Sequence, residues 1–311
     1  HIYIYGDTIG GGSLIRAILN HLKKGYRVVM EESAAYSIRN DLDEVRSMGI
    51  EVGKDPSFND FKKLEIREVD LPLLENFLSN FGENLNVDVI AIAVQDHGVA
   101  PKGVSDRAFR FEKMEAMLRK DKRPEAFCFA ENSIPSYYLR MRSAVKAVRR
   151  TSRTPVLVMD TSLSAILGCL EGVTGPSLVV NVGNGHTIAA LVIEGKIEGL
   201  YEHHTHELTP EKLERDLGLL TKGELDGKKV FEENGHGAIT LSPYMGEVQL
   251  LVTGPNRDLF KGSGMKVIYA APGGNTMMTG PMGLVRAAQY RFGTEWHRAE
   301  SREQKAESRK Q

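Results

Sequence analysis

Cysteine is scarce in this chain: Cys128 and Cys169 are the two thiols in 311 residues. Isolated and 41 positions apart, they cannot form a disulfide framework or a four-thiolate zinc site. They are expected as small buried side chains in a reducing cytoplasm. Charge of one sign is also missing. Lys plus Arg number 40 against 41 Asp plus Glu, a net charge of −1, so there is no global pull toward nucleic acid or an anionic membrane. No uninterrupted apolar run reaches the roughly 18–20 residues of a membrane span. The opening His1-Ile2-Tyr3-Ile4-Tyr5-Gly6 lacks the basic and long apolar regions of a signal peptide and lies inside a strand-like run. We therefore expect the sequence to begin within a domain. What remains is ordinary for a globular protein: 41% hydrophobic and 26% charged residues, with length enough for two domains.

The hydrophobic pattern alternates strands and helices. Ile2–Tyr5 reads as a strand, and Ser13 is placed to cap a helix whose stripe is Leu14, Ile15, Ile18, Leu19 and Leu22. Gly25 ends it before a strand over Tyr26–Met30. Further helices are expected over Ser37–Met48, Leu71–Phe81, Arg107–Lys122 and Thr161–Leu170, and strands over Val87–Val94 and Val156–Met159. The acid-free stretch Arg140–Arg153 reads as a basic helix face, solvated or in contact with phosphate. Apolar strands between helices indicate an α/β fold with a parallel or mixed sheet covered on both faces. Ser177–Val182, Thr187–Ile193 and Lys196–Glu202 form a strand meander, and Pro210–Leu220 a helix. Strands over Leu250–Thr253 and Lys266–Tyr269 and a helix over Met282–Tyr290 complete the pattern. We expect an N-terminal α/β domain over 1–154, a second domain over 155–295, and a charged, disordered tail over 296–311.

The most informative string is Asn181-Val182-Gly183-Asn184-Gly185-His186-Thr187. Its glycines let backbone N–H groups converge on an anion without Cβ interference, and His186 and Thr187 add side-chain donors. An ordinary hairpin using glycine for positive φ is the competing reading. Thr253-Gly254-Pro255 and Ala271-Pro272-Gly273-Gly274 each follow a strand, at the edge where α/β sheets bind ligands.

Three strands, then alternating helices and strands, with a Gly-x-Gly-x-Thr turn between the first two strands, resembles the second half of the actin/sugar-kinase/Hsp70 superfamily. The resemblance implies two RNase H-like (actin-like ATPase) domains with mixed sheets flanked by helices. The first would be truncated at its N-terminus, its own phosphate loop lying upstream of His1. It also implies ATP with Mg²⁺ as cofactor, a phosphate loop made by Gly183, Gly185 and Thr187, and an adenosine segment at Thr253, Gly254, Gly273 and Gly274. Asn181 stands where many members have Asp, and a neutral amide organises a metal–nucleotide complex less well than a carboxylate.

A closer match involves Gln95-Asp96-His97-Gly98, Arg107-Ala108-Phe109-Arg110-Phe111, Asn181–Thr187 and Glu202-His203-His204-Thr205. These strings resemble an uncharacterised prokaryotic family labelled as a pyruvate formate-lyase activating enzyme. A glycyl-radical activator needs Cys-x3-Cys-x2-Cys, which the two cysteines do not provide, so no iron–sulfur cluster is expected.

Other residues carry chemistry of their own. Gly6-Asp7-Thr8-Ile9-Gly10-Gly11-Gly12-Ser13 places Gly12 where a P-loop has its lysine, which excludes an NTPase P-loop. Gly10, Gly11, Gly12 and Ser13 still open a helix and form either an anion site or a tight βα turn. Asp96 and His97 follow a buried strand, and Asp160 follows another. Asp96 and Asp160 are candidate acid/base or Mg²⁺ residues and His97 a candidate titrating group, with an Asx-stabilised turn as the alternative for Asp96. Arg107 and Arg110 are candidates for clamping an anion or for salt bridges. Glu202, His204 and His206 fall on one face of an extended strand, a possible ligand set for Zn²⁺, Mn²⁺ or Fe²⁺, with His97 or His236 needed from elsewhere. Polar lining is the other reading of these histidines.

The expected function is therefore a nucleotide-binding phosphotransferase or ATPase acting on a small molecule. The alternatives are a non-catalytic nucleotide or metabolite sensor on the same fold, and a metal-dependent enzyme. Neither nucleic acid nor membrane is expected as a partner.

Overall fold

The computed structural model describes residues 1–56 and 60–307, without the side chains of 294–307. In chain order the elements are β1 (Ile2–Gly6), α1 (Gly12–Lys23), β2 (Val28–Met30), α2 (Glu32–Ala35), α3 (Leu42–Ser47), β3 (Glu51–Val52), β4 (Lys62–Ile66), α4 (Leu71–Ser79) and β5 (Ile90–Ala93). Then come α5 (Asp106–Leu118), β6 (Cys128–Ala130), α6 (Leu139–Arg149), β7 (Val156–Met159), α7 (Thr161–Cys169), β8 (Ser177–Val182), β9 (His186–Ile193) and β10 (Lys196–His204). The last are α8 (Pro210–Lys222), α9 (Gly227–Glu232), β11 (Gly237–Thr240), β12 (Gln249–Thr253), β13 (Ile268–Tyr269) and α10 (Thr279–Glu307). Among the described residues no helix is long and apolar enough to cross a membrane.

The chain forms two compact units, one of residues 1–106 and 131–158, the other of 107–130 and the residues from Met159 on. The chain passes between the units after 106, after 130 and after 158, the last of these four residues beyond the division expected at 154. The segment 107–130 belongs with the second unit because α5 carries Arg110 into that unit's interior, where it is 1% exposed and paired with Asp160 and Glu202.

In the first unit the sheet order is β3-β2-β1-β4, parallel throughout, with Ile4 opposite Met30 and Leu64. Its core gathers Ile4, Ile18, Val28, Met30, Val45 and Ile50. Strand β5 lies beside β7, Ile90 N–H donating to the Pro155 carbonyl. Two helix starts differ from expectation. Ser13 lies inside α1, and the cap position is held by Gly11, seated where a Cβ would fall on the Ser37 carbonyl. The helix expected from Ser37 starts at Leu42, where Asp41 caps it by accepting the Asp43 N–H at 2.8 Å.

The second unit holds the mixed sheet, ordered β11-β10-β9-β8-β12-β13. Strands β8, β9, β10 and β11 are successively antiparallel, while β12 is parallel to β8 and β13 to β12. Glu194 and Gly195 turn β9 into β10 with φ of 51° and 73°. Alternation sends Leu178, Val180, Val182, Ala189, Leu191 and Tyr201 into a core with Leu213, Leu217 and Leu220 of α8. The opposite set, including Val179, Ile188, Ala190 and Leu200, is also buried, and α7 packs on that sheet with α10 against it. Gly168 and Gly283 let these two helices touch: a Cβ on Gly168 would fall on the Thr279 carbonyl, and one on Gly283 on the Ser164 carbonyl. The backbone of α10 continues to Glu307. The side chains of the expected tail, and residues 308–311 altogether, lie outside the described residues.

Candidate functional site

The turn from β8 to β9 is held from behind. Gly183 N–H donates to the His186 carbonyl, and Thr205 N–H donates to the Gly185 carbonyl at 2.9 Å. The Thr205 hydroxyl donates to the Gly183 carbonyl at 2.8 Å and lies 3.0 Å from the Thr187 hydroxyl. Asn256 Nδ2 also donates to the Gly183 carbonyl, at 2.9 Å. Thr187 is thus a buried brace, while Asn184 and Gly185 are exposed at the tip. A Cβ on Gly185 would meet nothing within 4 Å, whereas one on Gly183 would meet the His186 carbonyl at 2.6 Å. The two glycines therefore do different jobs: Gly183 permits the tight turn, and Gly185 leaves open space above it.

The residues after β12 stand at the same end of the sheet. Thr253 pairs in register with Asn181 and is buried, its hydroxyl 3.0 Å from that of Thr279. Gly254, with φ of +102°, packs so closely that a Cβ would fall on the Val182 carbonyl and lie 2.8 Å from Asn181 Oδ1. Gly273 and Gly274, both at positive φ, form a 3₁₀ turn (Pro272–Gly274) after β13 with open space beside them.

The histidines converge at this edge because three antiparallel strands end together. His186 begins β9 opposite His204 of β10, and Glu202 is paired with Gly237 at the start of β11. The His236 N–H donates to the Glu202 carbonyl at 2.9 Å. The His186, His204 and His236 rings lie 4.7–5.0 Å apart, centroid to centroid. Ligating atoms of His186, Glu202 and His236 lie within 4.8 Å of one another. Glu202 and His236 are buried, at 0% and 1% exposure.

His206 takes a different place from the one alternation implied. Strand β10 stops at His204, and Thr205–Glu207 is 3₁₀, so the i, i+2 pattern does not extend to it. Its side chain is exposed and faces Glu207, although its ring is still 5.6 Å from that of His204. His203 is on the other face, its two ring nitrogens against the carbonyls of His204 and Glu233.

Burial holds His186, His204 and His236 below the ordinary imidazole range, His236 down to about 2, with neighbouring His186 and Arg110 adding to the effect there. All three rings are neutral near pH 7.

Arg110 pairs with the protein's own carboxylates. Its Nε donates to Glu202 Oε2 at 2.8 Å and its Nη1 to Asp160 Oδ2 at 3.0 Å. Burial opposes the charge on Arg110, but the two carboxylates outweigh it and raise the guanidinium further. Asp160 also caps α7 by accepting the Ser162 N–H at 2.9 Å. Arg107 donates to the Gly235 carbonyl and lies over the Phe231 ring.

In the first unit, Asp96 is structural in its contacts: Oδ1 accepts the Gly98 N–H and Oδ2 the Met141 N–H at the start of α6. A cavity of about 280 Å³ is lined by Gly10, Gly11, Gly12, Asp96, His97 and Arg140 among others, and Ser13 does not line it. The Arg140 guanidinium lies against Gly10 and pairs with Glu68 at 2.7 Å.

Sequence reasoning missed the bracing roles of Thr205 and Asn256, and it left His236 as only a possible partner. The available signal was Gly235-His236-Gly237, a histidine between two glycines just before a strand.

A family model described as "Putative pyruvate format-lyase activating enzyme (DUF1786)" matches residues 9–259. The chain belongs to this family. No curated protein matches it. The family's description implies a three-thiolate iron–sulfur site, and the residues present do not fit one. Cys128 and Cys169 are both buried, and burial pushes their thiols up to about 11 and about 12. The two cysteines in the 311 residues are one thiolate short of such a cluster.

Proposed function

We propose that this protein binds a nucleotide through the β8–β9 turn and acts as a phosphotransferase or nucleotide hydrolase on an actin-like ATPase fold. The observation that carries the reading is the open turn tip over Asn184 and Gly185, braced from below by Thr187, Thr205 and Asn256. A rigid turn with exposed backbone N–H groups suits phosphate oxygens, which need positioned donors more than covalent partners. The element order of the second unit supports the same reading. Three meander strands, a helix, two parallel strands and a closing helix follow one another, with β11 as an added edge strand. The close seat of Gly254 on Val182 and Asn181 brings the segment after β12 beside the turn, consistent with a nucleoside lying there.

Mg²⁺ would reach the site chiefly through phosphates and water. Asp96 has both oxygens on backbone N–H groups, and Asp160 is engaged by Arg110 and Ser162. Neutral Asn181 favours a second reading, a nucleotide sensor without turnover.

Calorimetric titration of the 311-residue chain with ATP and Mg²⁺ tests the proposal, with Gly185→Val as the discriminating variant. The valine fits the fold, since nothing lies within 4 Å of its Cβ, but it occupies the space above the turn. Binding in the parent chain with at least about tenfold loss in the variant, equivalent to about 1.4 kcal/mol, is expected. Equal affinity of the two, or no binding, removes the reading. Binding without phosphate release selects the sensor.

A further inference from the structure

We infer that His186, Glu202 and His236 form a binding site for a divalent first-row transition metal ion. The inference is independent of the nucleotide reading, because it rests on the side chains of His186 in β9, Glu202 in β10 and His236 just before β11, and not on the turn tip.

The sheet register builds the site. Strand β9 starts with His186, β10 brings Glu202 to the same edge, and His236 immediately precedes β11. Strand β10 is hydrogen-bonded to β9 on one side and to β11 on the other, and the His236 N–H donates to the Glu202 carbonyl, so backbone pairing places the three residues at this edge. Two glycines make the placement of His236 possible. A Cβ on Gly235 would lie 2.7 Å from the His203 ring. Gly237 has φ of +147°, and a Cβ there would press on the Phe111 ring at 3.0 Å. The chain therefore passes between two aromatic rings with its histidine directed toward His186, the two rings meeting edge to face at 4.7 Å.

The donor set has the chemistry of a metal centre. Two imidazoles and one carboxylate have ligating atoms within 4.8 Å of one another, a spread that a bound ion would draw in by small rotamer changes. Nitrogen and oxygen donors without thiolate suit zinc, manganese or iron(II) rather than calcium or magnesium, which prefer all-oxygen sites.

Arg110 faces two carboxylates, Asp160 and Glu202. Asp160 offsets the guanidinium, and Arg110 in turn fixes the Glu202 carboxylate through Oε2, the kind of outer contact that orients a metal ligand. His204, with its ring 5.0 Å from His186 and 4.9 Å from His236, adds a third imidazole beside the pair.

The test uses the full chain, stripped with chelator and titrated with Co²⁺ alone, without nucleotide. Visible d–d absorption reports histidine-ligated cobalt, and Zn²⁺ competition reports affinity. One equivalent is expected to bind, with zinc displacing it. His186→Gln and His236→Gln are expected to weaken binding by more than about 100-fold, beyond the loss typical of an outer-shell partner, while His206→Gln stays within about threefold of the parent. Circular dichroism in chelator identifies folded variants, and His186→Gln, at a partly exposed position, serves if His236→Gln does not fold. No cobalt absorption in the parent chain overturns the inference. So does parental affinity in folded His186→Gln, or loss in His206→Gln with retention in His236→Gln.

Discussion

Arg110 Nε donates to Glu202 Oε2 at 2.8 Å with the arginine side chain 1% exposed and the glutamate 0%. A charge so buried is tolerable only while its partners remain. Arg110→Ala leaves both Glu202 and Asp160 in the interior without their cation, and breaking a buried pair from one side costs about 3–5 kcal/mol. Urea unfolding is expected to show that loss as a lower midpoint with little change in slope. Glu202→Gln is expected to cost less, because Arg110 keeps Asp160 at 3.0 Å. A loss below about 1 kcal/mol in Arg110→Ala would show that solvent reaches these carboxylates.

The α7–α10 contact makes a separate prediction. Gly168 and Gly283 each lie where a Cβ would strike a carbonyl of the other helix, Thr279 and Ser164 respectively. Alanine at either position forces the helices apart, at a cost of about 1–3 kcal/mol each. Both substitutions demand the same displacement, so the double variant is expected to fall short of the sum by more than about 0.5 kcal/mol. Denaturation of the two single variants and the double variant measures this directly, and strict additivity would mean that the helices yield locally at each site.

Much of this architecture was legible in the chain, for identifiable reasons. The meander was readable because Ser177–Val182 and Thr187–Ile193 are apolar runs bounded by glycine, and Glu194-Gly195 is a two-residue turn. Asp160 at the end of a buried strand was readable as a site-edge residue. Its partner was not, because Arg110 lies 50 positions away on a helix that carries both charged and apolar residues. The histidine set was half legible. Alternation placed Glu202 and His204 on one face, but it extended the strand to His206, past the point where the chain turns 3₁₀. No local pattern could bring in His186 and His236, which arrive through strand pairing. Gly11 shows the same limit: it reads as part of an anion loop, and its tight seat on the Ser37 carbonyl is visible only in three dimensions.

The thiols give a prediction with a defined pH direction. Burial raises Cys128 to about 11 and Cys169 to about 12 from an ordinary value of 9.0. In the folded chain both remain protonated at pH 8, so a disulfide reagent such as DTNB is expected to react with neither until urea is added. The unfolded thiols ionise first as pH rises. Their contribution to stability is therefore complete below about 9 and is lost as pH rises through about 11 and about 12. Rapid labelling of a folded thiol at pH 8 would contradict the burial.

Thr205 ties the turn to the strand that follows it. Its hydroxyl donates to the Gly183 carbonyl at 2.8 Å and lies 3.0 Å from the Thr187 hydroxyl, which is itself buried. Thr205→Val keeps the shape and removes the hydroxyl, so the buried Thr187 hydroxyl loses that partner while the Gly183 carbonyl keeps Asn256 alone. Unmatched buried groups of this kind cost about 1–3 kcal/mol. Thr205→Ser restores the hydroxyl and is expected to recover most of that stability. Hydrogen exchange separates a loosened turn from general destabilisation. The Gly183 amide, bonded to the His186 carbonyl at 3.0 Å, is expected to exchange faster in Thr205→Val by more than the global loss of stability explains. The Val180 amide, in the middle of β8, is expected to change only by that global amount. Equal acceleration at both positions would mean that Thr205 stabilises the unit as a whole and does not specifically brace the turn.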